Sequence, residues 1–295
     1  MAHNIFKGLG IALITPFLED GSVDYKSLIR LVEYQLNNGA DFFCILATTG
    51  ETPTLTAEEK QKIKDLIVDL VGGRVPILVG CGGNNTAAIV NELQTGDFRG
   101  VDGILSVCPY YNKPSQEGLY QHFKAIAAAT QLPVVLYNVP GLTGVNMTAA
   151  TSVRLAYDCP NIVAIKEASG NLEQVDEIIK NSPRGFEVLS GDDALTFPMV
   201  SCGAVGAISV IGNAPPREFS KMIRLQMRGE YDGARKIHHR FQDLFSLLFV
   251  DGNPAGVKCM LSEMGYIQNI LRLPLVPTRI STLQRMSEIM KELKI

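Results

Sequence analysis

Residues 162–166 read Ile162-Val163-Ala164-Ile165-Lys166, and Glu167-Ala168-Ser169-Gly170-Asn171 follow at once. An unbroken apolar run of this length fits a strand buried on both faces, and the turn after it opens a helix. A lysine ending such a strand points either into solvent at the strand tip or into the mouth of a barrel of buried strands. In the second place desolvation disfavours the ammonium form. The amine is then partly neutral near pH 7 and can attack a carbonyl to form an imine. A strand-end lysine paired with a surface carboxylate is the commoner outcome for a lone lysine, so its company decides.

Working outward, the same strand-turn-helix pattern recurs. Strand-like runs are Gly8 to Thr15, Phe42 to Ala47, Pro76 to Gly80, Gly103 to Cys108, Val134 to Asn138, Ile162 to Lys166, Glu187 to Ser190 and Val205 to Val210. They are near-continuous rather than alternating, as in parallel sheets covered by helices. Eight such units in roughly 220 residues predict a closed (β/α)8 TIM barrel. No G-x-G-x-x-G follows the first run, so a dinucleotide-binding sheet lacks its signature. Thr56-Ala57-Glu58-Glu59 is a capping box that starts a helix. After Pro215-Pro216 the strands stop, and Ala234, Ile237, His238, Phe241, Leu244, Phe245 and Leu248 follow helical spacing. Further helices are expected from Gly256 and from Thr278. The predicted organisation is a catalytic barrel over residues 1–229 and a C-terminal helical domain over 230–295, with His238 a packing residue rather than a ligand.

The chain has 295 residues, 46% of them hydrophobic, enough for a large core. Lys and Arg number 27 against 30 Asp and Glu, without a run of five like charges. Neither nucleic acid nor an anionic membrane is an implied partner, and small molecules are. Met1-Ala2-His3-Asn4 has no charged and apolar leader pattern, and no apolar run approaches the roughly 20 residues of a membrane helix. A cytoplasmic protein is expected. Cys44, Cys81, Cys108, Cys159, Cys202 and Cys259 form no C-x-x-C pair, several lie in or beside apolar runs, and they read as buried, reduced thiols. His3, His122, His238 and His239 offer no metal-binding spacing, so no metal site is expected.

In a barrel of this kind the working residues sit at the carboxyl ends of the strands. Those positions hold Thr48-Thr49-Gly50-Glu51, Tyr110-Tyr111-Asn112-Lys113-Pro114, Tyr137-Asn138-Val139-Pro140, Lys166, Gly191-Asp192-Asp193 and Ile208-Ser209. Imine chemistry requires proton movement, and Tyr137, Thr48 and Tyr111 can form a hydroxyl relay. Successive amides at Thr48-Thr49-Gly50 can cradle a carboxylate, so a 2-oxo acid would present its ketone to Lys166. Thr48, Thr49, Gly191 and Ile208 are the expected substrate-binding positions. Each group alone has an ordinary reading: packing for the tyrosine, a plain turn for Thr-Thr-Gly, a helix cap for Gly-Asp-Asp.

Together these motifs, with Ser115-Gln116-Glu117-Gly118, Asn253-Pro254 and Leu271-Arg272-Leu273-Pro274-Leu275, resemble those of the dihydrodipicolinate synthase and N-acetylneuraminate lyase family over nearly the whole chain. The resemblance implies a cofactor-free enzyme of lysine biosynthesis that condenses pyruvate with aspartate 4-semialdehyde through an imine. It implies Lys166 as the imine lysine, Tyr137 as proton donor and acceptor, and Thr48 as relay. Tyr111 would complete the relay from a neighbouring subunit, in a homotetramer built as a dimer of dimers. Two departures stand out. Where the family's synthases carry an arginine that holds the aldehyde's carboxylate, this chain has Leu142. Where lysine-inhibited members carry acidic and histidine side chains in an inter-subunit pocket, it has Ala88, Ala57 and Lys60, with Asn84 and Tyr110 retained. Leu142 leaves open a different pyruvate aldolase, acting on a sugar acid or on N-acetylneuraminate. A silent barrel that merely binds a 2-oxo acid would need neither the amine nor the relay.

Overall fold

The structure, a computed structural model, describes residues 5–295. Met1-Ala2-His3-Asn4, read above for a leader, lies outside the described residues. The strands are β1 (Gly8–Ala12), β2 (Phe42–Ile45), β3 (Ile77–Gly80), β4 (Gly103–Val107), β5 (Val134–Asn138), β6 (Ile162–Glu167), β7 (Glu187–Ser190) and β8 (Gly206–Ser209). Their hydrogen-bonded order follows the sequence and closes into a parallel barrel. The (β/α)8 TIM barrel expected from the sequence is therefore the fold. Nearly every strand residue is buried, which is why the runs read as continuous rather than alternating.

The ends of the first two strands differ from expectation for local reasons. β1 stops at Ala12 rather than Thr15, because the Ile14 amide donates to the side-chain oxygen of Asn213 at 3.3 Å instead of continuing a ladder. β2 stops at Ile45 because Leu46, at φ 52°, turns the chain.

The chain divides into two compact units, one of residues 5–7 with Pro76–Ile208 and one of Gly8–Val75 with Ser209–Ile295. In the first unit, helices Thr86–Thr95, Gln116–Ala128, Ala149–Asp158 and Leu172–Asn181 each follow a strand. Each begins on a side-chain cap, Asn85, Ser115, Thr148 and Asn171 respectively. A cap of this kind contributes about 1 kcal/mol and fixes where the loop hands over to the helix. Asn171 accepts from the Gln174 amide at 3.1 Å, so the stretch that opened the sequence argument is a strand, a tight turn and a capped helix.

In the second unit β1 and β2 pair with Gly10 opposite Phe42. A Cβ on Gly10 would lie 2.2 Å from the Phe42 ring, so only glycine fits there. Thr56 and Glu59 make the expected capping box, with contacts of 3.2 and 3.0 Å. The helices after β8 are Pro216–Met227, Tyr231–Leu247, Ala255–Glu263 and Ile280–Leu293. Phe241, Leu244, Phe245 and Leu248 are buried along one stripe. His238 is half-buried, its ring 5.5 Å from that of Phe245, so it packs on that stripe as expected. The boundary expected at 229/230 falls between the first two of these helices. All six cysteines are free and five are buried. Cys202 is the exception, exposed just past the short helix Thr196–Ser201.

Candidate active site

Lys166 and Tyr137 are direct partners in the β5–β6 ladder, so their side chains leave the sheet on the same face. The Lys166 Nζ lies 4.3 Å from the centroid of the Tyr137 ring. Both are buried, at 4% and 6% exposure, and among the described residues neither the amine nor the phenol hydroxyl has a hydrogen-bond or ion-pair partner. Gly191, at the end of β7, completes this corner. A Cβ there would stand 2.9 Å from Lys166 Cε and 2.8 Å from the Ala168 Cβ, so the lysine stem occupies space that any other residue would fill. Its amide donates to Glu167 O at 2.8 Å. The sequence reading placed Gly191 on substrate; the structure places it first against the lysine's own stem.

The residues alternating with this pair do something the sequence reading did not assign. Glu167 and Asn138 are ladder partners on the opposite face, both about fully buried. Glu167 accepts from Asn138 Nδ2 at 3.1 Å, Gln174 Nε2 at 3.0 Å and the Ser169 amide at 2.7 Å. Asn138 also ties to Asn146 at 2.8 Å and accepts from the Met147 amide at 3.0 Å. A buried carboxylate survives only with such partners. The network locks the ends of β5 and β6 together, and with them the Tyr137–Lys166 spacing. The available signal was alternation: a polar residue next to a candidate catalytic one on a doubly buried strand must face the helix layer.

The second unit carries the turn Thr48–Gly50 after β2. Gly50 N donates to Ala47 O at 3.0 Å and Glu51 N to Thr48 O at 3.1 Å. The Gly50 amide expected in an anion cradle is thus spent on closing the turn. The Thr48 and Thr49 amides and the Thr48 hydroxyl carry no partner among the described residues, and remain available to an anion. Thr49 is buried and its hydroxyl accepts from Asn253 Nδ2 at 3.1 Å.

Tyr111 has its own setting in the first unit. It is 90% exposed, at φ 73°, on the loop after β4. That loop is tied to the one after β3: Asn84 Nδ2 donates to Tyr110 O at 3.1 Å and Asn112 Nδ2 to Asn84 O at 2.9 Å. Ile208 is buried on β8. Leu142 is exposed on the short helix Pro140–Thr143. Beside it, the Lys113 side chain crosses Gly144, its Nζ 3.6 Å from where a Cβ would sit, and makes no ion pair among the described residues.

The sequence pattern of the dihydrodipicolinate synthetase family matches residues 5–293. The chain belongs to that family. The 4-hydroxy-tetrahydrodipicolinate synthase of Phocaeicola vulgatus is 65% identical over 295 residues, covering 100% of this chain and 99% of its own. Among solved structures, dihydrodipicolinate synthase from Aquifex aeolicus superposes with a TM-score of 0.94 at 42% identity, covering 98% of each chain. The chloride-inhibited dihydrodipicolinate synthase from Acinetobacter baumannii, complexed with pyruvate, superposes at 0.95 with 39% identity, covering 99% of this chain and 100% of that one. The resemblance carried by the motifs thus extends to the whole family pattern.

Proposed function

We propose that this chain condenses pyruvate with aspartate 4-semialdehyde to 4-hydroxy-tetrahydrodipicolinate, a lyase-class step of lysine and diaminopimelate biosynthesis. The observation that carries the reading is the Lys166–Tyr137 pair: a buried amine with no carboxylate partner, beside a buried phenol with a free hydroxyl, in a chain matched end to end by synthases. The Lys166 amine adds to the pyruvate ketone, and loss of water gives the imine. Its protonated form is a cation, and the face of the Tyr137 ring stabilises a cation at that position. Loss of a C3 proton gives the enamine, which bonds to the aldehyde carbon as the aldehyde oxygen takes up a proton. Attack by the substrate's own amine, or by water, releases Lys166. Tyr137 is the donor and acceptor for these transfers, with Thr48 as relay. The Thr48 and Thr49 amides hold the pyruvate carboxylate.

The finer reading is a homotetramer of paired dimers in the cytoplasm, with Tyr111 reaching a neighbour's site. Its exposure in the single chain supports that role, since a bare tyrosine on a tied loop has much apolar surface to cover. No helix among the described residues is long and apolar enough to cross a membrane. Residues 1–229 supply the catalytic barrel and 230–295 the helical domain. The reading is tested by incubating the protein with pyruvate and borohydride. The pyruvate-derived mass is expected on the peptide holding Lys166, and purified protein should consume pyruvate only when the semialdehyde is supplied. Label on another lysine, or consumption driven by a sugar-derived aldehyde instead, would overturn it.

A further inference from the structure

Beneath the Thr48–Gly50 turn lies a group of charges that the proposed reaction does not use. Glu51 and Lys258 form an ion pair in which both side chains are fully buried. Lys258 Nζ also donates to Ile270 O at 2.9 Å and lies 4.2 Å from the centroid of Phe17. The second oxygen of Glu51 accepts from the Arg272 amide at 3.1 Å. Arg272 lies 4.5 Å from the same Phe17 ring and grips Glu59 through two contacts of 2.7 and 2.6 Å. Burying a charge pair is costly, and an apolar pair of similar volume usually fits a core as well. Glu51 pays a second penalty, since at φ 54° it sits in the left-handed region that residues with a Cβ avoid. A strained residue persists where its surroundings over-determine it, and here they do so one residue beyond the two unpartnered amides, past Gly50.

We propose that the Lys258–Glu51 pair is a positioning device that holds Glu51 left-handed, and thereby aims the Thr48 and Thr49 amides at the substrate carboxylate. The inference rests on the assignment of those amides to pyruvate. It predicts that the pair sets pyruvate affinity rather than the chemistry at Lys166. Burial draws the Lys258 ammonium down to about 8 against the pull of Glu51, so the cation is held by its partner and not by solvent.

The test uses the isosteric Glu51→Gln and the double variant Lys258→Met with Glu51→Gln, which removes both charges together and serves if the single variant fails to fold. Two readouts are taken on the full chain: hydrogen exchange of the peptide spanning Thr48 to Glu51, and the pyruvate dependence of borohydride-trapped imine. Exchange should be at least tenfold faster, and half-saturating pyruvate at least tenfold higher. The imine trapped at saturating pyruvate and the KM for the aldehyde should stay within about twofold. Unchanged exchange, or a lowered Tm with unchanged half-saturation, overturns the proposal and leaves the pair a packing feature. If the wild-type protein traps no imine, the pyruvate assignment falls, and exchange alone decides whether the pair holds the turn.

Discussion

Tyr137 and Lys166 face each other across one rung of the β5–β6 ladder, with the lysine nitrogen 4.3 Å from the ring centroid. The spacing follows from two backbones in register, so substituting either side chain leaves the other in place. Tyr137→Phe keeps the ring over the amine and deletes only the hydroxyl. Turnover should fall by roughly 10² to 10⁴-fold, as for loss of a positioned acid-base group, while the imine still forms. Lys166→Arg should abolish imine trapping, because a guanidinium stays protonated. Full turnover by Tyr137→Phe would remove the phenol from the mechanism.

Tyr111 tests the assembly. Tyr111→Phe should slow turnover about as much as Tyr137→Phe. If it serves a neighbour's site, inactive Tyr111→Phe and Lys166→Ala chains mixed under exchanging conditions should recover part of the activity. Hybrids as dead as their parents would show that each chain works alone.

Leu142 leaves the aldehyde's carboxylate without the family's arginine, and the exposed Lys113 beside the same turn is the cation at hand. Charged hydrogen bonds contribute about 1.5 to 3 kcal/mol, or roughly ten- to a hundredfold in affinity. Leu142→Arg should lower the aldehyde KM or raise kcat/KM without altering imine formation from pyruvate. Lys113→Ala should raise the aldehyde KM, and do so less in the Leu142→Arg background. Steady-state kinetics of the four proteins decide this, and additive effects would show that the two positions serve different contacts.

His122 gives a pH prediction. Burial pushes its imidazole down to about 4, and Nδ1 is bonded to the Thr86 hydroxyl at 2.8 Å while Nε2 is buried without a partner. The unfolded chain takes up a proton near pH 6.5 and the folded one does not. The stabilising contribution is therefore complete above pH 6.5 and is lost as pH falls toward 4. At 1.36 kcal/mol per pH unit the loss is about 3 kcal/mol. Urea midpoints measured between pH 7 and pH 4 should decline less steeply in His122→Gln; parallel curves would assign the decline to other groups.

Feedback inhibition by lysine should be weak or absent. An amino acid's ammonium needs a carboxylate or several acceptors, whereas Ala57 and Ala88 offer neither and Lys60 adds like charge. Inhibition at micromolar lysine would show that a different acidic group has taken over.

The barrel was legible in the sequence because a strand buried on both faces has no polar side to alternate, and eight such runs admit few architectures. Lys166 and Tyr137 were legible as candidates because they are the polar residues closing apolar strands. Their contact was not, since a ladder rung joins residues 29 apart and the register of β5 on β6 depends on a shift between Val134 and Val135. The Glu167–Asn138–Gln174 network and the Lys258–Glu51 pair stayed hidden for the same reason. A buried charge is written in sequence as an ordinary acid or base, and only packing decides which one is taken from water and what meets it there. The division at the Thr48–Gly50 turn is similar. Sequence named the amides, but the hydrogen bond from Gly50 to Ala47 decided which remained free, because a backbone donor is available to a ligand only after the fold has chosen not to use it.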